Sequence, residues 1–372
     1  MSAPGDPALR LADYRPRSQL RLVRHDVPLP RHRVIDAHNH LGTPFGGDWA
    51  ARPVDELVAV LDAAGVEAVV DLDGGTGDDL RREIERWQAP LAGRVAVFAG
   101  LSYGRWPDEP DFGAAEAVRL REGVAAGARG LKVWKTLGLH ARDGLGRLVM
   151  VDDERLDPVW AAAGELGVPI TIHIADPIAF FEPLDATNER WEELQVHPDW
   201  HVWPTRPVGR PDLPGFPPFD ELIDGLEAVV ARHPGTAFIG AHVGCAAEDL
   251  DRVERMLAAY PNWHVDIAAR LAELGRQPRR ARELLVRHPD RVLFGTDAPP
   301  EAAVYPVHYR FLETLDEAFA YDADDGAEGA EGADDAGDVP SQGRWTISGL
   351  GLPDDVLRQV YRDNARRLIA FD

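Results

Sequence analysis

Eight short, apolar, β-rich runs recur along the chain, at 34–40, 67–73, 95–101, 130–136, 169–175, 237–243, 263–269 and 292–297. Several are apolar almost throughout, which suits strands covered on both faces. Helical patterns separate them, with readable stops: 53–65 ends at Gly65, 156–166 before Gly167, 220–232 at His233-Pro234, 248–260 before Pro261 and 279–287 before Pro289. Glycine just past a helix, or proline soon after it, is the expected end signal. Strand and helix alternating eight times predict an α/β fold with a parallel sheet and right-handed crossovers, closed into a (β/α)8 TIM barrel. An open doubly wound sheet is the alternative, but no glycine-rich phosphate loop follows the first run.

Two segments break the alternation. Residues 177–219, after the fifth run, carry many prolines together with Phe180, Phe181, Trp191, Trp200, Trp203, Phe216 and Phe219. A long aromatic insertion after a barrel strand suits an active-site wall or lid, and a packed surface excursion or subunit contact equally. Before the last helix comes an acidic insertion, 322–343, whose stretch 322–338 holds eight acidic residues and no basic one. Such a composition does not offset the entropy of ordering and is expected to be disordered. Residues 353–369 have helical periodicity and are expected to close the barrel, while 1–30 form an N-terminal arm ahead of a single barrel domain, 31–372.

The net charge of −23 disfavours nucleic-acid and anionic-membrane partners. No apolar run reaches the length of a membrane span, and the N-terminus lacks the apolar stretch of a secretory signal. The lone Cys245 cannot form an internal disulfide, which suits a reducing cytoplasm, and a small buried residue is its expected role.

Chemistry concentrates at the ends of the runs. In VIDAHNH, Asp36, His38 and His40 stand two apart, on one face of a strand, and at the C-terminal mouth of a barrel that face holds two imidazoles ready for a cation. The pair alone is weak evidence. The fifth run ends in His173, the sixth in His242 and the eighth in Asp297. A single buried histidine is more often a satisfied core residue, yet three such ends in addition to the pair are hard to obtain by packing alone. Nitrogen ligands with one carboxylate suit Zn²⁺, with Mn²⁺, Fe²⁺ or Ni²⁺ as alternatives.

The pieces IDAHNHLG, PITIHIADP, FIGAHVG, VLFGTDAP and GLPDDVLRQVYRDNARRLI together resemble the amidohydrolase superfamily, most of all its amidohydrolase-2 branch, which includes aminocarboxymuconate-semialdehyde decarboxylase. That resemblance implies metal ligands at His38, His40, His173 and Asp297, with His242 as an acid/base beside them. In binuclear members of the superfamily a lysine of the fourth strand is carbamylated and bridges two metals, and Lys132 falls at that place. The chain's only two lysines, Lys132 and Lys135, lie three apart on this strand in a sequence that otherwise uses arginine. Lysine can be carbamylated or deprotonated and arginine cannot readily be either, so a chemical role is expected for at least one of them; a second metal at Lys132 and His242 is the less favoured arrangement.

The expected activity is metal-dependent hydrolysis of an amide, lactam, lactone or ester in a small molecule, with Asp297 and His242 handling the proton. A metal-dependent non-oxidative decarboxylase of a small unsaturated or aromatic acid is the alternative, and a non-catalytic ligand-binding barrel a third. Trp134, His140, Phe180, Phe181, Arg190 and Trp191 are candidates for touching a planar or apolar substrate, as is Lys135. A homodimer is what the family resemblance suggests.

Overall fold

A computed structural model of the protein describes residues 10, 18–42, 47–202, 215–321 and 342–371. Among the described residues there are eight parallel strands: β1 (Val34–Asn39), β2 (Val66–Asp71), β3 (Val95–Val97), β4 (Leu131–Val133), β5 (Ile170–Ile172), β6 (Phe238–Gly240), β7 (Trp263–Asp266) and β8 (Val292–Leu293). They pair in sequence order in two sheets, β1-β2-β3 and β4-β5-β6-β7-β8. Backbone hydrogen bonds cross both seams. Ala99 bridges to Leu131, and Lys132 N–H donates to the Ala99 carbonyl at 2.7 Å. On the other side Ala37 N–H donates to the Phe294 carbonyl and Asp297 N–H to that of His38, both at 2.9 Å. These bonds join the two sheets into the ring of a TIM barrel.

The helices fall where the stop signals place them, at Val54–Ala63, Asp157–Leu166, Phe219–Arg232, Leu250–Ala259 and Pro278–Arg287. Gly167 ends its helix with φ 66°, a left-handed cap that glycine adopts without steric cost. The barrel interior holds a distinct apolar cluster of Ile35, Ala37, Ala68, Val70, Ala96, Phe98, Ile239 and Leu293. Only closure brings side chains from β1, β2, β3, β6 and β8 into one group. Ala365, Ile369 and Phe371 join that cluster, so the closing helix (Asp354–Arg358, a π turn Gln359–Asp363, then Asn364–Leu368) plugs the end opposite the mouth.

The described part of the arm runs along the barrel: His25 N–H donates to Asp316 Oδ2 at 2.7 Å and Arg31 N–H to Glu313 Oε1 at 2.9 Å. The aromatic insertion carries its own short helices, Ile178–Phe180, Trp191–Val196 and Pro198–Trp200. Its residues 203–214, most of the acidic insertion (322–341) and most of the arm lie outside the described residues. Among the described residues no helix is long and apolar enough to cross a membrane.

Candidate metal centre

β1 does not keep the simple alternation expected of it. Its register against β2 shifts between Asp36 and Asn39. Asp36 therefore does not share the face of the two histidines. It accepts from Thr296 N–H (3.0 Å), Thr296 Oγ1 (2.6 Å) and Asn39 Nδ2 (2.8 Å), tying β1 to the loop after β8. Burial lifts its pKa to about 6 despite those bonds. His38 and His40 instead meet carboxylates at the mouth. His38 Nδ1 lies 2.8 Å from Asp266 Oδ2, and His40 Nδ1 lies 2.8 Å from Asp73 Oδ1. Each ring thereby keeps Nε2 for another partner, the usual arrangement of a carboxylate behind a metal-binding imidazole.

The sixth and eighth strands stop earlier than their apolar runs. β6 ends at Gly240, where a Cβ would come within 2.3 Å of the Trp263 ring. The chain then turns sharply through His242 (φ 58°) and Val243 (φ 60°), both left-handed, which for a β-branched valine is a strained conformation. Asp266 holds this turn by accepting from His242 N–H (2.8 Å) with Oδ1 while Oδ2 faces His38. After β8, Asp297 is also left-handed, at φ 57°. Among the described residues seven non-glycine residues have positive φ, and four of them, His242, Ala269, Asp297 and Gln342, line one cavity. Strain gathered at one pocket is the pattern of a functional site.

These turns bring the groups together. Asp297 Oδ1 lies 3.0 Å from His40 Nε2 and 3.5 Å from His38 Nε2, and its Oδ2 lies 3.7 Å from His242 Nε2. Ligand atoms of His38, His40 and Asp297 all fall within 4.8 Å of one another. His38, His242 and Asp266 form a second such group, but the His38–Asp266 hydrogen bond accounts for it. His173, just past β5, packs its ring 4.4 Å from that of His242, and its Nε2 is buried without a hydrogen bond; Asp176 Oδ1 stands 3.5 Å away. Among the described residues the close ligand groups do not include His173, but its Nε2 lies without a hydrogen bond on the cavity that His38, His40 and Asp297 line, and that donor set fits a divalent cation.

The electrostatics agree. Burial holds His38 and His242 well below the usual imidazole range, as neutral rings fit for coordination. Burial also opposes a charge on His40, yet hydrogen bonds to Asp297 and Asp73 push it up to about 9: the carboxylates call for positive charge at this point. His242 Nδ1–H donates to the Ala268 carbonyl at 2.9 Å, leaving Nε2 unprotonated toward Asp297. Lys132 is fully buried with Nζ 3.3 Å from His38 Nε2, and burial lowers its pKa. Lys135 pairs with Asp176 at 2.6 Å. Both lysines thus stand at the mouth.

The cavity measures about 380 Å³. Trp134, Lys135, Phe180 and Arg190 line it, as do Trp200 and Glu193 of the insertion and Gln342, which follows the acidic stretch. Three expected substrate contacts do not. Phe181 turns away to pack on Phe219 (5.5 Å), Trp191 is 44% exposed, and His140 sits against Phe216 at 5.4 Å, carried off by the tight turn Thr136–Leu139. Cys245 is buried, as expected of a small core residue. Asp73, Asp176 and Arg270 escaped the sequence reading; only Asp73, in the alternating DLD that ends the second run, had a local pattern that could have exposed it. With the His38–Asp266 bond accounting for its carboxylate, Asp266→Asn is expected to weaken metal affinity about 10- to 100-fold, measured by competition with a chromogenic chelator.

A parallel barrel with imidazoles and a carboxylate gathered at its C-terminal mouth defines a barrel with a candidate divalent-metal site. The chain belongs to the amidohydrolase-2 family, whose model, described as amidohydrolase, matches residues 35–371. No curated protein matches it. Among solved structures it is similar to a 2,6-dihydroxybenzoate decarboxylase complexed with 2,6-dihydroxybenzoate (18% identity, TM-score 0.51, 91% of this chain and 99% of that one). It is also similar to a dihydroxybenzoic acid decarboxylase from Polaromonas sp. JS666 with bound manganese and 2-nitroresorcinol (15%, 0.53, 91% and 96%). A Staphylococcus aureus protein provisionally described as an amidohydrolase is similar to the same degree (16%, 0.52, 91% and 99%). At such identities the likeness is one of fold.

Proposed function

We propose that the protein is a metal-dependent hydrolase of a small organic molecule, with one divalent cation held by His38, His40, His173 and Asp297. The observation that supports this is that ligand atoms of His38, His40 and Asp297 lie within 4.8 Å of one another in a cavity that His173 also lines, with Asp73 and Asp266 fixing the two β1 rings from behind. Zn²⁺ suits the donor set best, and Mn²⁺, Fe²⁺ and Ni²⁺ use the same donors. A cation there would lower the pKa of a coordinated water from about 15.7 towards 7 and would polarise a carbonyl.

The chain's own groups do the rest. Asp297 faces the cavity and takes the proton of the attacking water as its oxygen adds to the substrate carbonyl. His242 Nε2, 3.7 Å from Asp297 Oδ2, relays that proton to the leaving nitrogen or oxygen as the carbon–heteroatom bond breaks. Trp134, Phe180 and Trp200 wall the site and exclude water around a flat substrate. Lys132 stands beside the single-cation centre as a buried amine, its Nζ 3.3 Å from His38 Nε2.

A second reading is decarboxylation, with Asp297 and His242 delivering a proton to the carbon that loses carbon dioxide. The aromatic walls favour it, and two solved structures of the same fold are named as dihydroxybenzoate decarboxylases. Turnover in ¹⁸O-water separates the two. Hydrolysis leaves solvent oxygen in the product acid; release of carbon dioxide without solvent oxygen in the product establishes the lyase instead.

A further inference from the structure

A second, smaller cavity adjoins the metal centre. It measures about 240 Å³ and shares Ala269, Asp297 and Gln342 with the main cavity. All three shared residues have left-handed backbone, at φ 51°, 57° and 61°. That conformation is uncommon for alanine and glutamine, so the wall between the two spaces is built from turns that local preference does not favour. Asp297, the proton carrier proposed above, thus borders a cavity on either side.

The annex differs in character from the main cavity. Leu271, Val304 and Val307 give it apolar walls. Three of its polar side chains are more than nine-tenths buried: Thr296, Tyr321 and His308. Two of them are committed elsewhere. Thr296 Oγ1 donates to Asp36 Oδ2 and the Tyr321 hydroxyl to the Gly343 carbonyl, both at 2.6 Å. His308 is committed at one nitrogen only. Its Nδ1–H donates to the Val304 carbonyl, one helical turn earlier, at 2.9 Å. A carbonyl can only accept, so the neutral ring carries its proton on Nδ1 and keeps Nε2 as an acceptor. Burial pulls the His308 pKa down to about 4, which keeps the ring neutral. Among the described residues nothing donates to Nε2. A buried acceptor without a donor is costly unless a ligand supplies one.

Pockets that take a whole drug-sized ligand run to about 300–1,000 Å³. The annex falls below that range, so it suits a part of a molecule rather than all of it. We propose that the annex is a second substrate subsite, which seats a compact apolar group carrying an N–H or O–H that His308 Nε2 accepts. The substrate is then a two-part molecule whose halves lie on either side of Asp297. On the hydrolysis reading above, the half in the annex is the leaving amine or alcohol. The proposal rests on the main cavity being the substrate site, as proposed above, and not on the cation.

Phenol and toluene test it, being close in shape and different by one O–H. Each is titrated into the purified full chain and followed by ligand-observed NMR, before and after chelation, so that a phenol bound to a cation is told apart. The preference for phenol over toluene is expected to fall at least about fivefold in His308→Leu, the effect of removing one buried hydrogen bond. His308→Gln, whose side-chain carbonyl still accepts, should keep part of the preference. Val307→Phe, which fills the annex, should weaken both probes at least about tenfold. Circular dichroism checks the fold of each variant, and should His308→Leu fail to fold, His308→Phe gives the same comparison. A preference unchanged in the His308 variants overturns the proposal. So does binding that Val307→Phe leaves untouched, or no binding of either probe. A preference that vanishes on chelation also overturns it while leaving the metal reading intact. A His308-dependent preference in a protein that never takes up metal upholds the subsite and removes the hydrolase reading.

Discussion

Asp297→Asn should lower kcat by about 10³-fold or more with the melting temperature nearly unchanged. The amide keeps the size of the carboxylate and an oxygen that can still stand beside His40 Nε2, 3.0 Å from it in the wild type, and face the cation. What it loses is the negative charge and the capacity to hold a proton. Asp297 is held well below the usual carboxylate range, against its burial, by the histidine cluster around it. Both proposed reactions pass the mobile proton through this oxygen, so the loss falls on kcat rather than on KM. A steady-state assay with thermal melts of both proteins reads the two effects apart. Wild-type kcat in the variant would remove Asp297 from the chemistry.

Chelation should act as strongly and reversibly. Stripping the proposed cation removes carbonyl polarisation and the activated water together, several kcal/mol of barrier, or roughly 10⁴-fold in rate. Dialysis against dipicolinate, followed by titration with Zn²⁺ or Mn²⁺, should abolish and then restore turnover at one equivalent per chain. Recovery that saturates only at two equivalents would instead support the bridged arrangement in which Lys132 is carbamylated. Activity that persists in thoroughly chelated protein would favour a reaction run by His242 and Asp297 alone.

Much of the barrel was legible because period and punctuation agree. The eight apolar runs became eight parallel strands, and the Gly and Pro stops mark the helix ends seen at Gly167 and Pro289. Strand lengths were less legible. β8 is only two residues long, since Phe294 N–H turns to the Val360 carbonyl of the closing helix and Gly295 must pass His38 closely enough that a Cβ would lie 2.9 Å from it. The left-handed turn at Val243 runs against the preference of a β-branched residue, and nothing local marks those at His242 and Asp297; tertiary bonds such as that from His242 N–H to Asp266 hold the turn in place.

The site divides in the same way. His38, His40, His173, His242 and Asp297 were readable as polar ends of apolar runs, and all five line one cavity. The scarcity of lysine pointed to Lys132 and Lys135, and both lie at the mouth. Arg270 carried no such mark in an arginine-rich chain. Only three dimensions show that it lines the cavity. His140 and Trp191 fail for the converse reason. Closeness in sequence to β4, or membership of an aromatic insertion, does not decide which way a side chain turns.

The central claim is that four side chains from three strands share one cation. A crystal structure of the purified protein, with anomalous difference maps recorded above and below the metal edge, tests it most directly. The account predicts one strong peak touching His38 Nε2, His40 Nε2, His173 Nε2 and an Asp297 oxygen. Metal-supplemented crystals with no peak there, or with a peak that leaves out His173 or Asp297, would contradict it.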